Sequence, residues 1–323
     1  MAVKDELKAL LEEHRREFLS GAEIAESLGC TRGAVWKAVE SLRSEGYKIN
    51  AVTNKGYCLE DTDILSEESI RAYLGKTEGL DITVYRSTDS TNIRLRELAE
   101  KGAPEGTVVI AGAQTGGKGR LGRKFFSPED TGLYLSILIR PDMTAENAVR
   151  ITTAAAVAVA EAAEEISGRQ ADIKWVNDVY MDGLKICGIL TEASFTPESG
   201  GLEYAVVGIG INVYEPEGGF PDELKTIAGA VMKKRSENDR SRMAARVISG
   251  FMKYYRTLTE NTFLESYRSR LIWKGEKINL ISGNIITPAT LIDVDEKCRL
   301  LVKLENGEHK TISSGEISIR KQK

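Results

Sequence analysis

The dipeptide Asp182–Gly183 narrows the fold more than any other feature of this chain. It lies between two apolar stretches, Val179–Met181 and Leu184–Ile189. A two-residue turn needs backbone at positive φ, which Asp-Gly accepts, and it joins strands running in opposite directions. Parallel neighbours need a crossover of roughly a dozen residues or more. A purely parallel sheet is thereby excluded here. Further strand candidates are Thr107–Ala113, Leu133–Ile139, Leu184–Glu192 and Tyr204–Asn212, and helix candidates are Asn92–Lys101, Thr144–Ser167 and Arg240–Leu258. The expectation is an α+β fold whose central sheet is antiparallel or mixed, with helices packed on it.

The two ends of the 323-residue chain differ from this middle. Near the N-terminus, Leu7, Leu10 and Leu11 form a helical stripe. Ser20 followed by Glu23 has capping-box spacing, and Gly29 ends that helix. Thr31 opens the next, with Val35, Val39 and Leu42 on its apolar face, and Gly46 closes it. Tyr47–Leu59 reads as two strands around Asn54–Gly56. Helix, turn, helix, hairpin is the order of a winged helix-turn-helix. Asp61 to Gly79 reads as a helical connection. From Lys274 onward, turns at Ser282–Gly283, Asp295–Glu296 and Asn306–Gly307 separate short strands, as in a small SH3-like β-barrel. The expected division is 1–62, 63–272 and 273–323.

The net charge of −4 excludes a globally basic nucleic-acid binder. Locally the balance reverses. Residues 1–30 carry four Lys/Arg against seven Asp/Glu, whereas residues 31–59 carry Arg32, Lys37, Arg43, Lys48 and Lys55 against Glu40 and Glu45. Positive charge thus gathers on the second helix and the hairpin, where a helix-turn-helix spanning Gly21 to Glu40 would meet DNA phosphates through Arg32, Lys37 and Lys55. A packing or dimerisation module with a solvated basic face has the same local pattern. The cysteines Cys30, Cys58, Cys187 and Cys298 stand singly, which speaks against a disulfide framework or zinc site and fits a reducing cytoplasm. His14 and His309 are the two histidines and lie in polar surroundings, so histidine-based catalysis is disfavoured. The apolar run Ala154–Ala160 is too short to cross a bilayer.

Chemistry is densest in Ala111–Ser127, where Gly112, Gly116, Gly117, Gly119 and Gly122 alternate with Lys118, Arg120, Arg123 and Lys124. Bare backbone and cationic side chains suit a phosphate-bearing ligand. Gly112 to Lys118 has Walker-A spacing, but Gly119 stands where Ser or Thr is required. Gly117, Gly119 and Gly122 spell the dinucleotide fingerprint, but Phe125, Phe126, Ser127 and Pro128 follow in place of a helix. Neither motif applies. Three more constellations accompany it: Ser87–Leu95, Asp172–Glu192 and Gly208–Val213.

Together these pieces resemble the bacterial bifunctional biotin–protein ligase and biotin-operon repressor family. Ser90-Thr91-Asn92 matches the family's STN. Gln114 with Gly117-Lys118-Gly119-Arg120-Leu121-Gly122-Arg123 resembles its GRGRxGR loop. Lys174-Trp175-Val176-Asn177-Asp178 resembles KWPND, Lys185 to Leu190 resembles KxxGIL, and Gly208 to Asn212 resembles GxGIN. The motifs come in family order, and the resemblance covers almost the whole chain. Lys118 replaces a frequent arginine, losing a bidentate fork, and Val176 replaces a usual proline.

The resemblance implies a central domain like class II aminoacyl-tRNA synthetases and biotin ligases. It implies formation of biotinyl-5′-AMP from biotin and ATP with Mg²⁺, then transfer to a lysine of a biotin carboxyl-carrier protein. Biotin would be held by Ser90, Thr91, Asn92, Gln114, Lys118, Gly119, Arg120, Lys185, Gly188 and Gly210, with Trp175 lining the slot for its acyl chain. ATP would be held by Arg120, Arg123, Phe125, Asn177, Lys185, Asn212 and Arg320, Phe125 covering the adenine and Glu316 lying nearby. Lys185, Arg120 and Asp178 would be catalytic, Asp178 also touching Mg²⁺. Biotin operator DNA and a homodimer promoted by the adenylate are the implied partners, with no membrane. A DNA-binding biotin sensor with little ligase activity and a lipoate-type ligase are the alternatives.

Overall fold

The computed structural model describes residues 3–60, 63–75, 79–144, 147–196, 201–313 and 317–321. Three helices open the chain: α1 (Val3–Glu13), α2 (Gly21–Ser27) and α3 (Arg32–Ser44). An antiparallel hairpin of β1 (Ile49–Val52) and β2 (Gly56–Leu59) follows. The expected capping box is present: Glu23 N donates to Ser20 Oγ at 3.2 Å, and Ser20 N donates to Glu23 Oε2 at 2.8 Å. Thr31 Oγ1 caps α3 by accepting from Ala34 N at 3.2 Å. Leu7, Leu11, Ile24, Val35, Val39, Leu42 and Leu59 form a core of their own. That leaves Arg32, Trp36, Lys37 and Glu40 exposed on α3, and Lys55 exposed at the hairpin turn. Arg43 turns inward, its Nε donating to Ile49 O at 3.0 Å, so it straps the hairpin to α3.

The chain then reaches α4 (Glu67–Leu74) by way of Asp63. Asp63 Oδ2 accepts from Arg240 Nε at 2.7 Å, its Oδ1 accepts from the Arg240 amide at 3.0 Å, and its carbonyl accepts from Arg240 Nη2 at 2.6 Å. Both residues are buried. Arg240 lies in the first turn of α7 (Asp239–Arg256). Arg15 Nη2 donates to Glu237 at 3.1 Å, a second tie between the N-terminal helices and that region.

The central sheet has seven strands: β3 (Asp81–Tyr85), β4 (Thr107–Ala111), β5 (Gly132–Ile139), β6 (Asp172–Lys174), β7 (Asp178–Met181), β8 (Leu184–Phe195) and β9 (Leu202–Asn212). Their order is β3-β4-β5-β9-β8-β7-β6, and only β3 and β4 run parallel. The crossover between those two carries α5 (Thr91–Glu100). Asp182 and Gly183 both have positive φ and close the β7–β8 hairpin as expected. α5 packs Leu95 and Ala99 against Val109, Leu138 and Val206 on one sheet face. The other face, with Val108, Ile110 and Ile137, lies under α6 (Val149–Ser167) and α7. Strands β3 and β6 have no counterpart in the sequence reading, because Asp-Ile-Thr-Val-Tyr and Asp-Ile-Lys are short and half polar. The long apolar helix begins at Val149, not at Thr144, which bridges to Gly201.

After α8 (Leu264–Ser269) come β10 (Lys277–Ser282), β11 (Ile285–Val294), β12 (Leu300–Leu304), β13 (His309–Ile312) and β14 (Ile317–Lys321). They form an antiparallel sheet in the order β13-β12-β11-β10-β14. Ile278, Leu291, Val302 and Ile319 belong to the same apolar core as α6 and α7. Among the described residues no helix is long and apolar enough to cross a membrane.

Removing one partner of a buried ion pair strands the other charge, at about 3–5 kcal/mol. Asp63→Ala should therefore lower the unfolding free energy of the full chain, read from its urea curve, by an amount near that range. A loss under about 1 kcal/mol, the scale of a surface pair, would show that Arg240 finds other compensation there.

Candidate functional site

Register lines up the chemistry. Ala111 pairs with Tyr134, Tyr134 with Gly210, Gly210 with Gly188, Gly188 with Asp178, and Asp178 with Lys174. Directly opposed residues project from the same face, so these six form one row across five strand junctions. The face is the one α5 covers, but α5 starts at Thr91 and leaves the row open beyond its N-terminus. The two glycines leave bare backbone in mid-row. A Cβ on Gly210 would stand 2.6 Å from the Phe125 ring, and one on Gly188 would stand 3.2 Å from Lys185 Nζ.

Lys185 reaches this face because β8 carries a bulge. Val179 pairs with Cys187, yet Tyr180 pairs with Lys185, so Ile186 is the extra residue. Without it, residues three apart on a strand would face opposite ways. Lys185 Nζ donates to Asp178 Oδ1 at 2.6 Å.

At the α5 end a polar network forms. The Thr91 amide donates to Gln114 Oε1 at 2.9 Å, and Gln114 Nε2 donates to Ser127 Oγ at 3.2 Å. The Ser136 hydroxyl lies 2.8 Å from Thr91 Oγ1 and 2.6 Å from Asn92 Oδ1. Asn92 Nδ2 donates to Glu192 Oε2 at 2.7 Å. At the other end Arg120 Nη1 donates to Asn177 Oδ1 at 3.0 Å, and burial pushes its pKa below the usual guanidinium range.

A half-open cavity of about 60 Å³ lies between these ends. Its walls include Ser90, Thr91, Asn92, Gln114, Lys118, Gly119, Arg120, Lys185, Gly188 and Gly210, the whole set expected around the first ligand. Of the set expected around the nucleotide, Arg120, Phe125, Asn177 and Lys185 line it too. Arg123, Asn212 and Arg320 stand outside it. The Asn212 amide is tied to Gly229 O at 3.0 Å, and Arg320 lies on β14, opposite Asn279. Glu316 falls outside the described residues.

Two placements differ from the expectation. Phe125, expected over a nucleobase, rests its ring on the Gly210 and Gly188 backbone, edge-on to Tyr134 at 6.3 Å. Trp175 does not line the cavity. It is buried in the core on the other sheet face, and its Nε1 donates to Cys298 O at 3.1 Å. Trp175 lies in the turn between β6 and β7, which carries it off the row that Lys174 and Asp178 hold. Sequence reasoning missed Ser136, Ser127 and Glu192, since isolated hydroxyls and carboxylates on strands carry no motif. Among the described residues no cluster of three His, Cys, Asp or Glu side chains is placed to hold a metal. After Gly119 comes a single 3₁₀ turn, Arg120–Gly122, which bears out the exclusion of the dinucleotide motif.

Comparison with known proteins agrees with this geometry. Residues 84–212 match the biotin/lipoate A/B protein ligase family, residues 4–58 an HTH domain, and residues 275–320 the biotin protein ligase C-terminal domain. The bifunctional ligase/repressor BirA of Bacillus subtilis is 37% identical over 97% of both chains. The chain belongs to the bifunctional ligase/repressor family. The Escherichia coli member is 30% identical over 94% of each. The biotin protein ligase of Aquifex aeolicus, solved in complex with biotin and ATP, superposes with a TM-score of 0.64 at 31% identity. It covers 75% of this chain and 99% of its own.

Ser136 links Thr91 to Asn92 with no solvent exposure. Ser136→Ala leaves buried polar atoms short of a partner, at about 1–3 kcal/mol. A lowered thermal midpoint should report it, and an unchanged midpoint would show that the network closes without the hydroxyl.

Proposed function

We propose that this chain joins biotin to ATP, transfers the biotinyl group to a carrier lysine, and represses biotin genes through its N-terminal domain. The observation that carries the reading is the row itself: a polar pocket, a bare-backbone trough and a buried-edge lysine in linear order. Thr91 and Gln114, with Ser90, supply hydrogen bonds for a ureido ring, which has two donors and one strong acceptor. Gly210 and Gly188 floor the slot for the acyl chain, and the Phe125 ring moves off that floor when the chain enters.

The carboxylate then lies at Lys185. It attacks the α-phosphorus as the bond to the bridging oxygen breaks and pyrophosphate departs with the electron pair. A carboxylate is already a nucleophile at neutral pH, so no base is needed. What is needed is cationic charge between two anions, and Lys185 provides it, while Arg120 holds phosphate from the lid. Asp178 holds Lys185 in place until the anions arrive. Mg²⁺, when bound with ATP, would offset phosphate charge. Asp178 would hold that ion together with the substrate phosphates, since Mg²⁺ usually takes one or two carboxylates and phosphate oxygens. Arg123 and Arg320 serve the nucleotide. The Gly116–Arg123 loop closes over the adenylate and excludes water.

The boundaries are read as 1–62, 63–272 and 273–323, with a synthetase-like centre and an SH3-like C-terminal barrel. α3 enters the major groove, Arg32 and Lys37 approach DNA, and Lys55 touches backbone from the wing. Loop ordering by the adenylate creates a homodimer surface on the central sheet, so ligand and operator binding reinforce each other.

Two experiments test this. In mixtures of ATP, Mg²⁺, biotin, a carrier domain and albumin, Lys185→Ala should label nothing, losing about 3–4 kcal/mol of transition-state stabilisation. Arg120→Gly should still form adenylate but release it, labelling albumin. Equal silence from both variants would place Arg120 in the chemistry and not in the lid. Separately, duplexes selected from a randomised pool by the full chain with biotin and ATP should no longer be retained once residues 1–62 are deleted. Undiminished retention would remove the N-terminal domain from DNA recognition.

A further inference from the structure

Lys174 has no part in the chemistry above, yet it ends the row. It faces Asp178 across the β6–β7 pair, and Asp178 faces Gly188 across the next. Strands lie about 4.8 Å apart, so the Lys174 column is roughly 10 Å beyond Gly188 and on the same face. Lys174 is half-buried, its Nζ 5.4 Å from the centroid of the Trp273 ring. Among the described residues it makes no hydrogen bond and no ion pair. The charges around it are Asp178, Lys185, Arg320 and Arg123. Asp178, the carboxylate among them, is taken by Lys185 at 2.6 Å. Burial above all, with the neighbouring cations, outweighs the pull of Asp178 and holds the Lys174 ammonium below its ordinary pKa.

Such a group is costly without an anion: its charge is desolvated, and three like charges act on it. Resting on the ligase reading, the order along the row says which anion. Carboxylate and α-phosphate meet at Lys185 above Gly188. Attack comes from the acyl-chain side, so the leaving oxygen points the opposite way, along the row and past Asp178. We infer that Lys174 is the residue that receives the pyrophosphate, stacked on Trp273 and aided by Arg123 and Arg320. The Pα–O bond to the β-phosphate breaks, the electron pair stays on pyrophosphate, and the Lys174 ammonium keeps its proton.

The test separates the two half-reactions. Biotinyl-5′-AMP has lost the β- and γ-phosphates, so transfer from the preformed adenylate does not need Lys174. In the full chain, K174Q should raise the pyrophosphate KM in biotin-dependent ATP–pyrophosphate exchange about ten- to a hundredfold, the range for one charge-assisted hydrogen bond. Transfer from synthetic biotinyl-5′-AMP to a carrier domain should stay within about twofold, which also shows that the variant is folded. K174R keeps the cation and should recover most of the exchange. Unchanged exchange in K174Q, or transfer falling in step with exchange in both variants, overturns the assignment. If the unaltered chain shows no biotin-dependent exchange at all, the ligase reading fails and not this one alone.

Discussion

Ile186 is one residue more than β8 needs to pair with β7, and that excess sets which way Lys185 points. In a regular strand Lys185 and Gly188 would face opposite sides of the sheet. Lys185 would then be buried beneath α6 or forced out of register. The bulge turns it to the face where Gly188 and Gly210 expose backbone, and Asp178 catches its ammonium. Bulges often mark the places where a sheet re-aims one side chain. Here the same distortion brings the bare-backbone trough to the Lys185 ammonium, and the row Ala111, Tyr134, Gly210, Gly188, Asp178, Lys174 depends on it.

The electrostatics follow from that placement. Lys174, Lys185, Arg120, Arg123 and Arg320 converge from β6, β8, the glycine loop and β14, with Asp178 as the carboxylate among them. Burial disfavours the charge on Arg120 and Lys174 alike. Converging cations of this kind suit an anion, and the cost of holding them together is met by the stability of the sheet around them. The network of Thr91, Gln114, Asn92 and Ser136 is the opposite kind of construction. It is neutral and closed, and it presents hydrogen bonds at the far end of the trough.

Packing connects the three segments unequally. The N-terminal helices and hairpin have their own core and touch the rest through polar ties, among them Arg15 with Glu237. The C-terminal sheet shares one core with α6 and α7, and Trp175 bonds directly to Cys298. Motion between the first segment and the remainder therefore breaks a few hydrogen bonds, whereas moving the last would open a hydrophobic core. Asp63 and Arg240 sit at the first of these junctions.

Much was legible in the residues alone. Capping at Ser20 and Thr31, the apolar stripe Val35, Val39 and Leu42, the Asp182–Gly183 hairpin and the glycine-rich loop are local features, fixed by φ preference, helical period and hydrogen bonding within a few residues. The set of cavity-lining residues was legible because its motifs are short and contiguous. Strands β3 and β6, the role of Ser136, the burial of Trp175 and the resting place of Phe125 were not. Each depends on which residues stand opposite one another across the sheet, and register is a property of paired strands. The sequence determined which groups the protein has; the bulge at Ile186 and the packing of α5 decided which of them meet, because a shift of one residue in a strand reverses the face on which every side chain falls.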